Sequence, residues 1–161
     1  MSGIWQDENA VTLGSDLVAD TTAETLSAVA DGAGFDQTTF LVKLGDVDAA
    51  AVLTFAVKEN TASSTSSPTP TAVALDRISS SVSGVITSGN VVLTESSGNL
   101  DGKIVLITVT HSGASKRYLF LSITATVESY EVGFIGIIQS RSRTVPVTQS
   151  SDVVASASLA K

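Results

Sequence analysis

Across residues 116–127 apolar and polar side chains alternate: Leu119, Leu121, Ile123, Ala125 and Val127 fall on one face, and Tyr118, Phe120, Ser122, Thr124 and Thr126 on the other. A two-residue period is that of a strand resting one face on a core, because successive side chains of extended backbone point in opposite directions. The bend Glu128, Ser129, Tyr130, Glu131 leads into residues 132–138, where Phe134, Ile135, Ile137 and Ile138 leave neither face polar. That pattern predicts a strand covered on both sides, by the core and by something else. Gly133 and Gly136 offer no side chain to pack, which points to a bulge or to the close approach of another backbone.

The same reasoning places strands at 38–44 and 51–58, with Leu53, Phe55 and Val57 as the inner set of the second. The intervening Gly45, Asp46, Val47 and Asp48 read as the turn of a first hairpin. Shorter strands are predicted at 73–78, 81–87 and 91–94, punctuated by Ser88-Gly89-Asn90 and Ser97-Gly98-Asn99. In 103–110, Ile104, Val105, Leu106 and Ile107 indicate burial on both faces, and 111–115 turns the chain into the next strand. Residues 20–30 compete with this all-β reading. They fit a short helix capped by Asp20 or Thr21, with Leu26 and Val29 on one face, or a loop. Roughly eight strands at this spacing predict a single antiparallel β-sandwich or jelly-roll-like domain.

A chain of 161 residues holds one ordinary domain with its own core. The expected organisation is an N-terminal arm or first strand over 1–33, a sandwich over 34–147 and a flexible tail over 148–161. Trp5, Val11, Leu13 and Leu17 anchor the arm, while Val153, Val154 and Leu159 are weak anchors in the tail. The 24 serines and 19 threonines suit sheets and turns better than helices. Residues 59–72, ENTASSTSSPTPTA, form a low-complexity surface excursion made less regular by Pro68 and Pro70.

Charge narrows the partners. The formal net charge is -7; residues 1–60 carry ten acidic and two basic side chains, and residues 61–161 carry six and seven. An acidic surface repels nucleic acid and anionic membrane, so neither is expected as a partner. Lys116 with Arg117, and Arg141 with Arg143, read as strand ends or salt-bridge partners. Cysteine is absent, which removes disulfides and thiolate metal ligands. The N-terminal residues lack the basic-then-apolar order of a signal peptide, and no apolar run approaches the roughly 20 residues that span a bilayer. Synthesis in a cytoplasm is the expectation.

Candidates for chemistry are few. His111 is the one histidine; it lies in a predicted turn beside Ser112 and Gly113, and there is no G-x-S-x-G nucleophile elbow to partner it. Asp46 and Asp48 have the chemistry of hard-cation ligands but lack the remaining EF-hand positions, so a solvated turn is expected. Asp31 and Asp36 around Gly32 and Gly34 are explained by turn formation. Neither glycine-rich nucleotide motif occurs. The expectation is a non-enzymatic protein with no catalytic residue, no metal and no cofactor.

Two stretches carry a resemblance. GFDQTTFLVKLGDVDAAAVLTFAVKEN, followed by short strands and then KRYLFLSITATVESYEVGFIGIIQSRSRTVPV, resembles a group of small structural proteins of tailed bacteriophages. In that group a Lys-Arg-Tyr-Leu strand precedes a hydrophobic strand and an arginine-containing run ending near Pro-Val. The likeness spans residues 34–147. It implies a capsid decoration or cement protein located on the outer capsid surface of the virion, with the major capsid protein as partner and self-association as a dimer or trimer. The alternatives are a tail, neck or fibre-associated structural protein and, third, a carbohydrate-binding or adhesive β-sandwich. Candidate coat or subunit contacts are Trp5, Phe134, Ile135, Ile137, Arg141 and Arg143, with ordinary core as the competing role for Phe134 through Ile138. Many weak contacts per shell would add through multivalency.

Overall fold

The computed structural model describes residues 9–15, 18–74, 78–80, 85–87, 90–96, 98–111, 116–126 and 128–140. Their strands are β1 (Asn9–Ser15), β2 (Val18–Thr21), β3 (Thr25–Leu26), β4 (Ala30–Asp31), β5 (Gln37–Val47), β6 (Val52–Asn60), β7 (Thr71–Ala72), β8 (Ile78–Ser80), β9 (Val85–Thr87), β10 (Asn90–Thr94), β11 (Ile104–Thr110), β12 (Tyr118–Thr126) and β13 (Tyr130–Ser140). No helix occurs among the described residues. One sheet runs β1-β13-β5-β11-β8, with β2 also paired to β13; the other runs β3-β12-β6-β10-β9, with β4 also on β12 and β7 on β6. We call them sheets A and B.

The two sheets pack as a β-sandwich. Phe40, Val42 and Leu44 of β5, Val105, Ile107 and Val109 of β11, and Ile135 and Ile137 of β13 are buried in one cluster with Leu53, Phe55 and Val57 of β6 and Leu119, Leu121 and Ile123 of β12. Each such side chain contributes about 1.5–3 kcal/mol on full burial. The inner sets read from the alternation of 51–58 and 116–127 are therefore core, with Ala125 only partly buried. Val127 lies outside the described residues. Midway along β12 the opposite face is closed too: Phe120 and Ser122 are buried.

Strand pairing departs from the expectation. The strands at 38–44 and 51–58 are not a hairpin: β5 lies in sheet A and β6 in sheet B. Gly45, Asp46 and Val47 still belong to β5, and the chain turns just beyond, where Ala50 adopts φ 72° and Ala51 N–H donates to the Asp48 carbonyl at 3.0 Å. The connections β11 to β12 and β12 to β13 also change sheet. Alternation reports which face is buried and nothing about the lateral neighbour. Crossing sets the inner faces of consecutive strands against each other, which buries both. The Ser88-Gly89-Asn90 signal does mark a hairpin, since β9 and β10 pair with Thr87 opposite Asn90.

Residues 20–30 form neither a helix nor a plain loop. Residues 9–31 supply strands to both sheets, with β1 and β2 on β13, and β3 and β4 on β12. Ser27 explains why the helix loses: its N–H donates to the Leu121 carbonyl at 2.9 Å, and its hydroxyl accepts from Leu121 N–H at 2.9 Å. Those bonds complete the edge of β12, which a helix would leave open.

Gly133 is a bulge, as its position predicts: Val132 pairs with Leu44 but Phe134 with Lys43, and a Cβ on Gly133 would stand 3.2 Å from Lys43 Cγ. The extra residue switches the inward parity, so Val132 points inward before it and Ile135 and Ile137 after it. Gly136 is only in ordinary contact, 3.8 Å from Leu41. The 59–72 excursion is organised by Asn60, which is fully buried. Its Nδ2 donates to the carbonyls of Ser64 and Pro68 at 2.8 and 2.9 Å, and its Oδ1 accepts from Thr61 N–H at 2.7 Å.

Candidate functional site

Burial on both faces was expected for 132–138 and for 103–110; the described residues cover only one face of each. Phe134 is 39% and Ile104 53% exposed. Register places them on a common outer surface of sheet A. Phe134, Lys43 and Ile104 form one row across β13, β5 and β11; Gly136, Leu41 and Leu106 form the next; Ile138, Thr39 and Thr108 the third. Leu41, Leu106 and Ile138 are partly exposed. The Phe134 ring leans over Gly136, 3.8 Å from where its Cβ would be. The Thr39 and Thr108 hydroxyls bond each other at 2.9 Å. Lys43 Nζ donates to the Gly102 carbonyl.

Beyond the first row the surface becomes acidic. β5 carries a second irregularity, Tyr130 pairing with Val47 and Val132 with Leu44, and Glu131 lies across Gly45 there. Its Oε2 accepts from Asp46 N–H at 3.4 Å. Asp101 arrives from a separate loop and accepts from Val47 N–H at 3.1 Å. Ser129 donates its hydroxyl to Asp48. Asp46, Asp48, Ser129, Tyr130 and Glu131 line an open cleft of about 290 Å³. Among the described residues, none of these carboxylates is in an ion pair, and no group of three or more metal-ligating side chains is arranged to hold an ion.

The loop that delivers Asp101 is held by Glu95. This side chain is 2% exposed, and its carboxylate accepts N–H bonds from Gly98, Asn99 and Leu100, the last two at 3.0 and 2.7 Å. Gly98 takes φ 77° within that turn. Gly102 N–H then donates to the Gly45 carbonyl at 2.9 Å.

The other candidates make defined contacts within the fold. Arg117 clamps Asp31 through two bonds of 2.7 and 2.6 Å and lies 5.1 Å from the centre of the Tyr118 ring. That bidentate contact holds the Asp31 carboxyl below the usual carboxylate range. Glu24 is held low chiefly by the Ser122 hydroxyl and also by Lys58, 3.4 Å away. His111 Nε2 lies 2.8 Å from the Thr38 hydroxyl. Gln139, largely buried, donates to the Asp31 carbonyl at 2.7 Å.

Of the predicted contacts, the structure separates Phe134, on the outer face, from Ile135 and Ile137, in the core. Trp5, Arg141 and Arg143 lie outside the described residues. Leu41, Ile104 and Leu106 carry no surface signal in the sequence, because runs such as Ile104–Ile107 read equally as doubly buried strand. The grouping of Asp46, Asp101 and Glu131 has no signal in the chain, since a sheet register and a separate loop create it. No family model, curated protein or solved structure matches this chain.

Proposed function

We propose that this protein is a non-enzymatic virion structural protein that binds the outer surface of a bacteriophage capsid and stabilises the shell as a decoration or cement protein. The observation that carries the structural role is the outer face of sheet A, where Phe134, Ile104, Leu41, Leu106 and Ile138 lie on three adjacent strands, with Lys43 between Phe134 and Ile104. An exposed apolar cluster on the outer face of a sheet is a candidate contact surface for another molecule. The capsid as its setting rests on the resemblance of residues 34–147 to small phage structural proteins. Sheet B contrasts with it in carrying the exposed Lys58–Glu24 ion pair.

The test is co-sedimentation of purified protein with empty phage shells, followed by the thermal resistance of the decorated shells. Wild-type protein should bind and raise that resistance, while Phe134→Asp and Ile104→Asp should reduce binding at least tenfold without loss of folded structure, either by removing a contact with the coat or by removing the association between copies that multiplies such contacts. Labelled protein found at the tail or neck would move the role to the alternative tail-associated class. Binding with no gain in shell resistance would end the cement reading.

A further inference from the structure

The outer face of sheet A and the acidic corner beside it have a counterpart in the chain itself. Residues 141–147, Arg-Ser-Arg-Thr-Val-Pro-Val, present two cations followed by three apolar residues. The surface presents the complementary order: carboxylates of Asp46, Asp101 and Glu131, then the row of Phe134, Lys43 and Ile104. Resting on the assembly reading above, we infer that this surface receives residues 141–147 of a second copy of the chain, Arg141 and Arg143 meeting the carboxylates and Val145 to Val147 covering Phe134 and Ile104.

Two magnitudes decide between this arrangement and its rivals. Three strands about 4.8 Å apart and five residues at about 3.3 Å each make an apolar face of roughly 14 by 16 Å. A stable face-to-face pair needs about 800 Å² from each partner, several times that area, whereas a short extended segment matches it. The second magnitude is reach. β13 ends at Ser140, which pairs with Gln37, while the acidic corner lies beside Tyr130 and Val47 at the other end of the strand. Ten residues of strand separate them by roughly 30 Å. Arg143 follows Ser140 by three residues, so its own chain extends it only about 10 Å from that end. The cations that meet this corner therefore come from another molecule.

A segment of one copy on a different surface of the next is a heterologous contact, which closes into a ring when the rotation permits. The two charge pairs supply specificity, and they make the association dependent on salt.

Sedimentation velocity on the full chain at low and high salt tests this. The wild-type protein should associate, with the oligomer weakened at least tenfold by raised salt. Arg141→Glu with Arg143→Glu should shift it to monomer, and so should Asp46→Lys with Glu131→Lys. A protein carrying all four reversals should associate again, an outcome that general destabilisation does not produce; unchanged circular dichroism verifies folding of each variant. A wild-type monomer, association insensitive to both reversals, or failure of the fourfold variant to reassociate while folded would overturn the inference. A folded monomer that still binds shells through Phe134 would leave the capsid reading standing and assign this face to the coat. An oligomer with the expected charge dependence that ignores shells and virions would do the reverse.

Discussion

The hydroxyl of Tyr130, on β13 of sheet A, lies 2.9 Å from the carbonyl oxygen of Ile123, on β12 of sheet B. It also lies 2.9 Å from the Ala23 carbonyl and 2.8 Å from the Thr25 hydroxyl, and the side chain is 1% exposed. One phenol thus ties the two sheets and the β3 segment together at the acidic end of the sandwich. It donates to one carbonyl at a time and accepts from Thr25.

Tyr130→Phe keeps the ring and removes the tie, leaving buried acceptors with fewer donors. The expected cost is about 1–3 kcal/mol, read from the denaturant midpoint at neutral pH. Burial pushes the phenol above its ordinary value of 10.0. A raised folded value means that the unfolded chain ionises first. The contribution is full below about pH 10 and is lost as pH rises through the folded value. Wild-type stability should fall more steeply across that interval than that of Tyr130→Phe. Equal alkaline slopes would contradict the assignment.

Glu95→Ala removes a buried carboxylate that accepts from three backbone N–H groups of the turn. A loss of about 2–4 kcal/mol is expected, since hydrogen bonds to a charged group exceed neutral ones. Amide exchange should accelerate first at Gly98, Asn99 and Leu100. If those amides keep wild-type protection, the carboxylate is not what holds the turn.

Asn60→Ala should cost about 1–3 kcal/mol, because a fully buried side chain and three hydrogen bonds to the loop backbone are lost together. Asn60→Asp should do no better at neutral pH: it loses the donor facing the Ser64 and Pro68 carbonyls and puts a negative charge there. Limited proteolysis offers the readout, with new cleavage inside residues 61–70 expected in both variants. Resistance equal to wild type would show that the loop stands without Asn60.

At Gly45 an added Cβ would stand 2.7 Å from Glu131 Cβ, an atom next to the backbone that a rotamer change does not move away. Gly45→Ala should destabilise by about 1–3 kcal/mol. Adding Glu131→Gly restores the space, so the double variant should lose less than the sum of the single ones. Strict additivity in thermal midpoints would place the cost elsewhere.

How far the chain could be read in advance differs from residue to residue. Leu119, Leu121 and Ile123 were legible as core because extended backbone sends alternate side chains one way. Gly133 was legible as either a bulge or a close backbone approach, because a missing side chain within an apolar strand needs a backbone reason, but Gly136 gave the same signal and has only ordinary contact. Phe134 and Ile104 were only half legible. Their runs said that both faces of a strand are apolar, and no local pattern says whether the second face meets more of the chain, another molecule or water.

The amino-acid order by itself determined that this is an all-β protein, where its long strands lie and which side chains of 51–58 and 116–127 face the core. Those properties follow from backbone periodicity and local turn chemistry, which act over a few residues. Only the tertiary structure decided that β5 and β6 belong to opposite sheets, that 25–31 completes the edge of β12, and that Asp46, Asp101 and Glu131 share a corner beside an apolar face. These depend on contacts between residues far apart in sequence, 85 positions for Asp46 and Glu131 and 96 for Leu26 opposite Ser122. Burying every inner face at once selects such pairings, and no short stretch of sequence contains that condition.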